Sequence, residues 1–219
     1  MLRVALTGGI ACGKSVVSRI LRDKGCVVRT ADEAAHALMS PGRAAWKKIV
    51  ARFGESILRP DRTVDRGRLG RIVFSDPEAR RFLNALLHPL VMAEERRLAA
   101  RFEREKRVRV FISEAALTVE AGYAALYDKV VVVHCPKTVQ VRRLMERDAI
   151  GKAEALRKIG TQMPVAEKIG YADYIIDTSG SLRETIEQTE KAYAALLQDA
   201  DLKRLSARRP TPRKKRATT

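Results

Sequence analysis

Residues 2–25 read LRVALTGGIACGKSVVSRILRDKG, and this stretch decides the fold. Leu2 to Thr7 form an apolar, β-branched run that suits a strand. From Ser15 the pattern changes: Val16, Val17, Ile20 and Leu21 recur at helical spacing, and Gly25 supplies a stop. Between the two lies Gly8 to Ser15, GGIACGKS, which matches G-x-x-x-x-G-K-[ST] with Gly8, Gly13, Lys14 and Ser15 at the fixed positions. Strand, glycine loop and helix in this order are the context a phosphate-binding loop requires. Its backbone N–H groups and the helix dipole converge on phosphate oxygens, Lys14 reaches the β and γ phosphates, and the Ser15 hydroxyl holds Mg²⁺.

Ala11 and Cys12 occupy free positions of the template. A methyl at Ala11 is harmless at negative φ and costly at positive φ. Cys12, near a helix N-terminus, is either an acidified, oxidisable thiol or merely a small residue.

Moving outward, four more β-branched runs follow: CVVRT (26–30), VRVFIS (108–113), KVVVVHC (129–135) and YIID (174–177). Nearly continuous apolar strands alternating with helices predict an α/β protein, with a parallel sheet covered on both faces. Residues 33–106 contain no strand pattern but several helices. One carries Trp46, Ile49, Val50 and Phe53 on one face, and another opens with Ser75 as cap, followed by Pro77 and Glu78. So large an insertion reads as a lobe over a substrate, and the Arg- and Lys-rich stretch 136–167 reads as a lid.

The three cysteines, Cys12, Cys26 and Cys135, are far apart in sequence and have no C-x-x-C spacing, which argues against a disulfide framework or a zinc site. No apolar run is long enough to span a bilayer and no signal-peptide layout opens the chain, so a cytoplasmic protein is expected. Of the net charge of +17, residues 203–219 carry eight Lys or Arg and no acid, leaving +9 for residues 1–202. That end, KRLSARRPTPRKKRATT, has the composition of a disordered tail.

Three groups of charged residues bear on chemistry. Asp32 follows the second strand, at the sheet edge where ligands of α/β folds bind. It either takes or orients an acceptor's hydroxyl proton or caps the helix that follows. Glu114 follows the third strand and could support Mg²⁺ through water, whereas Glu120, six residues on, suits a capping or surface role. Arg143 and Arg147 share a helix face with the spacing of phosphate-charge neutralisers, although such runs are also ordinary solvated faces. His88 has no partner that spacing identifies.

In order along the chain, LTGGIACGKS, TADE, FGESIL, VFSDPEARRFLNALLHPLV, RLMERD and QMPVAEKIGYADYIIDTSGS resemble the dephospho-CoA kinase family over about residues 2–198. The resemblance implies a P-loop kinase fold, with a five-stranded parallel sheet flanked by helices, a helical CoA-binding insertion and a lid. It implies a nucleotide-binding core at 1–32, 107–135 and 168–202, an acceptor lobe at 33–106, a lid at 136–167 and a tail at 203–219. The implied reaction moves the ATP γ-phosphoryl to the ribose 3′-hydroxyl of dephospho-CoA, with Mg²⁺, in a monomer.

Carried over by position, Gly9, Ala11, Cys12, Gly13, Lys14, Ser15, Val16 and Arg143 bind nucleotide. Thr7, Asp32, His88 and Glu114 face the acceptor, and Asp32, Lys14 and Arg147 are catalytic. The chain departs from patterns common among relatives: GIACGKSV stands for GIGSGKST, TAD for DAD, EAALTVE for PLLFE, and TSGS for NSGS. Thr30 therefore replaces a first aspartate, and Thr178 alters a contact expected near the adenine. A different small-molecule kinase is the alternative enzyme. A nucleic-acid-binding protein is the rival of another class, resting on the basic tail alone, since aromatics are only 5% of residues.

Overall fold

A computed structural model describes residues 1–208. The elements run β1 (Leu2–Gly8), α1 (Lys14–Asp23), β2 (Val27–Thr30), α2 (Ala31–Leu38), α3 (Ala44–Phe53), α4 (Arg66–Ser75) and α5 (Pro77–Glu105). They continue with β3 (Val110–Glu114), β4 (Lys129–His134), α6 (Lys137–Asp148), α7 (Lys152–Ile159), α8 (Val165–Ile169), β5 (Tyr174–Asp177) and α9 (Leu182–Arg208). The five strands form one parallel sheet in the order β2-β3-β1-β4-β5.

The strands are apolar on both sides because both sides are covered. On one face Leu2, Val4, Leu6, Ile112, Val131 and Ile176 pack against α1 and α9; on the other, Ala5, Val130 and Val132 meet Tyr127 and α8. Each fully buried aliphatic side chain contributes about 1.5–3 kcal/mol. The insertion between β2 and β3 has its own apolar cluster, built on Trp46, Ile49, Ile57, Leu69 and Leu87.

β1 is central, with β3 on one side and β4 on the other, so the chain reverses direction of progress across the sheet beside the phosphate loop. Crevices form at such switch points. Register sets Thr30, Glu114 and Leu6 side by side at the carboxyl edge, and places Gly8 beside Val133.

Two boundary readings change. Asp76, not Ser75, caps α5, its carboxylate accepting from the Glu78 N–H; the Ser75 hydroxyl turns back to the carbonyls of Arg71 and Ile72 at the end of α4. Pro77 is indeed in the first turn. The expectation of disorder from 203 onward is corrected in part: α9 continues to Arg208, and Lys203 reaches Asp128 at 2.6 Å. The remainder of the expected tail lies outside the described residues. Among the described residues, no helix is long and apolar enough to cross a membrane.

Candidate active site

The phosphate loop begins where β1 cannot tolerate a side chain. Gly8 has φ +148°, and a Cβ there would run into the Val133 carbonyl oxygen of the neighbouring strand. Gly13, at φ +80°, is the N-cap residue of α1 in the left-handed region. Ala11 also has positive φ, +59°. This is the costly alternative for that residue, a strain of about 1–2 kcal/mol that glycine would not carry.

Among the described residues, the N–H groups of Gly13, Lys14 and Ser15 donate to no protein acceptor, as expected of a helix's first turn. Lys14 folds back, its ammonium donating to the carbonyls of Gly8 at 3.3 Å and Gly9 at 3.1 Å. Burial pushes its pKa down, so an approaching phosphate would restore the charge's favourable surroundings.

Two residues that the sequence reading passed over, Gln140 and Gln162, help to hold the loop, as do Thr178 and Arg143, which it named. The Gln140 side chain donates to the Ile10 carbonyl at 2.8 Å, and Gln162 accepts from the Ile10 N–H at 2.9 Å. Thr178 places its hydroxyl 2.9 Å from the Cys12 carbonyl. Arg143 donates to the Thr178 hydroxyl at 3.1 Å and to its carbonyl at 2.6 Å, so this arginine is braced against the loop rather than presented on a solvated face. No periodicity marks these contacts: those to the loop join segments more than a hundred residues apart in sequence, and Arg143 and Thr178 are 35 apart.

A cavity of about 820 Å³ opens at this sheet edge. Ala11, Gly13, Lys14, Ser15, Arg143 and Arg147 line it, together with Asp32, His88 and Glu114. The helix-cap alternative for Asp32 falls away: the Thr30 hydroxyl accepts from the Glu33 N–H at 3.1 Å and caps α2, leaving Asp32 exposed in the first turn. Glu114 is oriented by the buried Ser18, whose hydroxyl lies 2.5 Å away. The His88 ring packs edge-on to Tyr123 at 6.1 Å, and burial lowers its pKa, which favours the neutral imidazole. Arg147, in the last turn of α6, pairs with Asp148 at 2.8 Å and keeps an exposed guanidinium at the cavity mouth.

Four of the expected ligand residues do not line the cavity. Thr7 is fully buried and donates to the Ala116 carbonyl at 3.2 Å, so it supports the wall instead of facing an acceptor. Gly9 and Cys12 are buried, and Val16, half-buried in α1, is not part of the lining. Glu120, expected in a capping or surface role, pairs with the fully buried Lys168 at 2.7 Å and accepts from the Met163 N–H. Lys168 also donates to Ala116 at 2.6 Å. These bonds join the segment after β3 to α8 and to the residues just before it.

The cysteines that sequence spacing separated meet in space. Cys12 and Cys135 are both fully buried, with their sulfurs 3.4 Å apart. The Cys135 S–H donates to Cys12; this bond and the Lys14 ammonium lower the Cys12 thiol against the opposing effect of burial, while Cys135 is raised.

This geometry has parallels. The family model for dephospho-CoA kinase matches residues 2–184. A dephospho-CoA kinase of Geobacter metallireducens is 44% identical over 196 residues, spanning 90% of this chain and 95% of the relative. Of solved structures, TT1252 from Thermus thermophilus superposes with a TM-score of 0.71 at 31% identity, covering 89% of this chain and 96% of its own. The dephospho-CoA kinase from Campylobacter jejuni gives 0.66 at 29%, covering 90% and 98%.

Proposed function

We propose, from the premise that this chain belongs to the dephospho-CoA kinase family and is an ATP phosphotransferase acting on an alcohol group, that it phosphorylates the ribose 3′-hydroxyl of dephospho-CoA at the cavity above β1. The observation that supports the reading best is the shared cavity: the phosphate loop after β1 and the carboxylate of Asp32 after β2, with only β3 between those strands, line one space.

In this reading the N–H groups of Gly13, Lys14 and Ser15 hold the β and γ phosphates, and Lys14 exchanges its bonds to Gly8 and Gly9 for phosphate oxygens. Asp32 orients the acceptor hydroxyl and takes its proton as the oxygen attacks in line. Arg147 leaves Asp148 and neutralises charge on the transferred group, while Arg143, braced by Thr178, bounds the nucleotide. Positioning and electrostatics supply most of the rate in such transfers. Oxygen donors suit Mg²⁺, and the exposed Ser15 hydroxyl with Glu114, which Ser18 of the same helix holds and which also lines the cavity, fits that preference. Mg²⁺ bound there would neutralise phosphate charge. Neutral His88 and the hollow beside it suit the acceptor's nucleoside end. We assign residues 33–106 to acceptor binding and 136–167 to the lid, and take the enzyme to act as a cytoplasmic monomer.

Purified protein is incubated with ATP, Mg²⁺ and dephospho-CoA, and the product is read by mass, with Lys14→Ala as control. Coenzyme A from the wild type alone is expected. ATP binding without that product would overturn the acceptor assignment and favour another small-molecule kinase.

A further inference from the structure

Two thiols 123 residues apart in sequence lie in contact at the phosphate loop. Cys12 belongs to the loop itself, and Cys135 follows the last residue of β4. Their sulfurs are already at 3.4 Å, whereas a disulfide bond is about 2.0 Å, so bonding needs a closure of roughly 1.4 Å. Cys135 sits on the sheet, between β4 and Pro136, which opens α6; Cys12 sits on a loop held chiefly by single hydrogen bonds. The loop must therefore supply most of the movement.

We propose that Cys12 and Cys135 are an oxidisable thiol pair, converted by a hydroperoxide to a disulfide that withdraws the phosphate loop from nucleotide.

The chemistry balances. Cys12, as thiolate, attacks one peroxide oxygen; the O–O bond breaks, a sulfenic acid forms on Cys12, and the hydroxide released takes up the proton that Cys12 had lost. The Cys135 sulfur then attacks the Cys12 sulfur, the S–O bond breaks, and the departing hydroxide takes the Cys135 proton. Two thiols lose two electrons, and hydrogen peroxide becomes two waters. The S–H···S arrangement presents Cys12 as the nucleophile and Cys135 as the resolving thiol. Cys26 provides the contrast: buried without such a partner, its thiol is pushed up to about 12.

Movement of Cys12 reaches the nucleotide site by two short routes. Its carbonyl is tied to Thr178 and through Thr178 to Arg143. Its neighbours Ala11 and Gly13 carry the positive φ angles that shape the loop. Both thiols are fully buried, so peroxide reaches them only when the loop opens, and bound ATP should slow the reaction. The modification is independent of the acceptor; its effect on ATP rests on the nucleotide reading above.

The full-length protein is treated with hydrogen peroxide, alkylated with N-ethylmaleimide in denaturant, digested and mapped by mass. The expected result is a Cys12–Cys135 cross-linked peptide two hydrogens lighter than the sum of its parts, with Cys26 alkylated, formed more slowly under saturating ATP·Mg²⁺. Affinity for a fluorescent ATP analogue should fall roughly tenfold or more, the equivalent of one lost charge-assisted hydrogen bond, and return with dithiothreitol. Cys135→Ala should bind the analogue as untreated wild type does and form no cross-link. Cys135→Ser, closer in volume, serves the same purpose if the alanine variant misfolds. Alkylation of both cysteines after exhaustive peroxide treatment, or a persistent sulfenic acid on Cys12, would overturn the pairing. A complete cross-link with unchanged affinity would overturn the effect on nucleotide. Failure of the untreated wild type to bind the analogue would count against the kinase reading, while the peptide map still decides the thiol pair.

Discussion

Removing the charge of Asp32 while keeping its shape isolates its proposed part in proton transfer. Asp32→Asn should lower kcat by about 10²–10⁴-fold, the usual contribution of a positioned base. Affinity for ATP should hardly change, because the loop N–H groups and Lys14 are untouched. Steady-state kinetics with the variant check this, and an unchanged kcat would remove Asp32 from the mechanism. Ala11 offers the opposite kind of test. At φ +59° its methyl opposes the backbone, so Ala11→Gly should relieve strain, offset by the larger conformational entropy of an unfolded glycine. A stability change within about 1 kcal/mol of zero, measured by urea titration, is expected. A loss well beyond that would mean that the methyl makes a packing contribution of its own. The loop motif located Ala11 and the end of the second strand located Asp32, but only the fold gives the sign of φ at one and releases the other from capping.

At the level of elements, α5 brings a carboxylate into a poor place for charge. Glu95 is 4% exposed, and the Ser113 hydroxyl lies 2.7 Å from both of its oxygens, with the Tyr127 hydroxyl at 2.9 Å. Burial raises its pKa, opposed by those donors and by Arg3 and Arg29. Below the unfolded value, about 4.3, Glu95 is protonated in both states and its ionisation costs nothing. As pH rises from there through the raised folded value, the unfolded chain ionises more readily and stability is lost. Glu95→Gln removes that dependence while retaining an acceptor for Tyr127. The melting temperature of the variant minus that of wild type should therefore increase from pH 4 to pH 8, and a flat difference across that range would refute this account. Strand and helix positions were legible because apolar periodicity reports burial directly. The tie between Glu95, β3 and Tyr127 was not, since a glutamate within a long helix looks the same in sequence whether it faces solvent or the sheet.

For the molecule as a whole, local patterns specified the α/β class, and the ordered motifs specified the family; strand order and the second layer of support came from tertiary contacts. Lys168 makes the point. In sequence it is one lysine among many in a basic chain, yet it is fully buried and bonded to Glu120 and Ala116. Cys135, Gln140 and Thr178 are similar cases, each ordinary in its own segment and informative only opposite the loop. Spacing rules see neighbours along the chain, and these contacts are between strangers.

The central place of β1 has a consequence for the protein's birth on the ribosome. This strand is made first, but its hydrogen-bonding partners lie at residues 110–114 and 129–134. At about 5–20 residues per second, the nascent phosphate loop and its apolar strand wait on the order of ten seconds before either edge can be paired. During that interval LRVALT is an unpaired, uncharged-rich edge of the kind that chaperones bind and aggregates recruit. The architecture that later centres the nucleotide site thus leaves its first strand the longest exposed during synthesis.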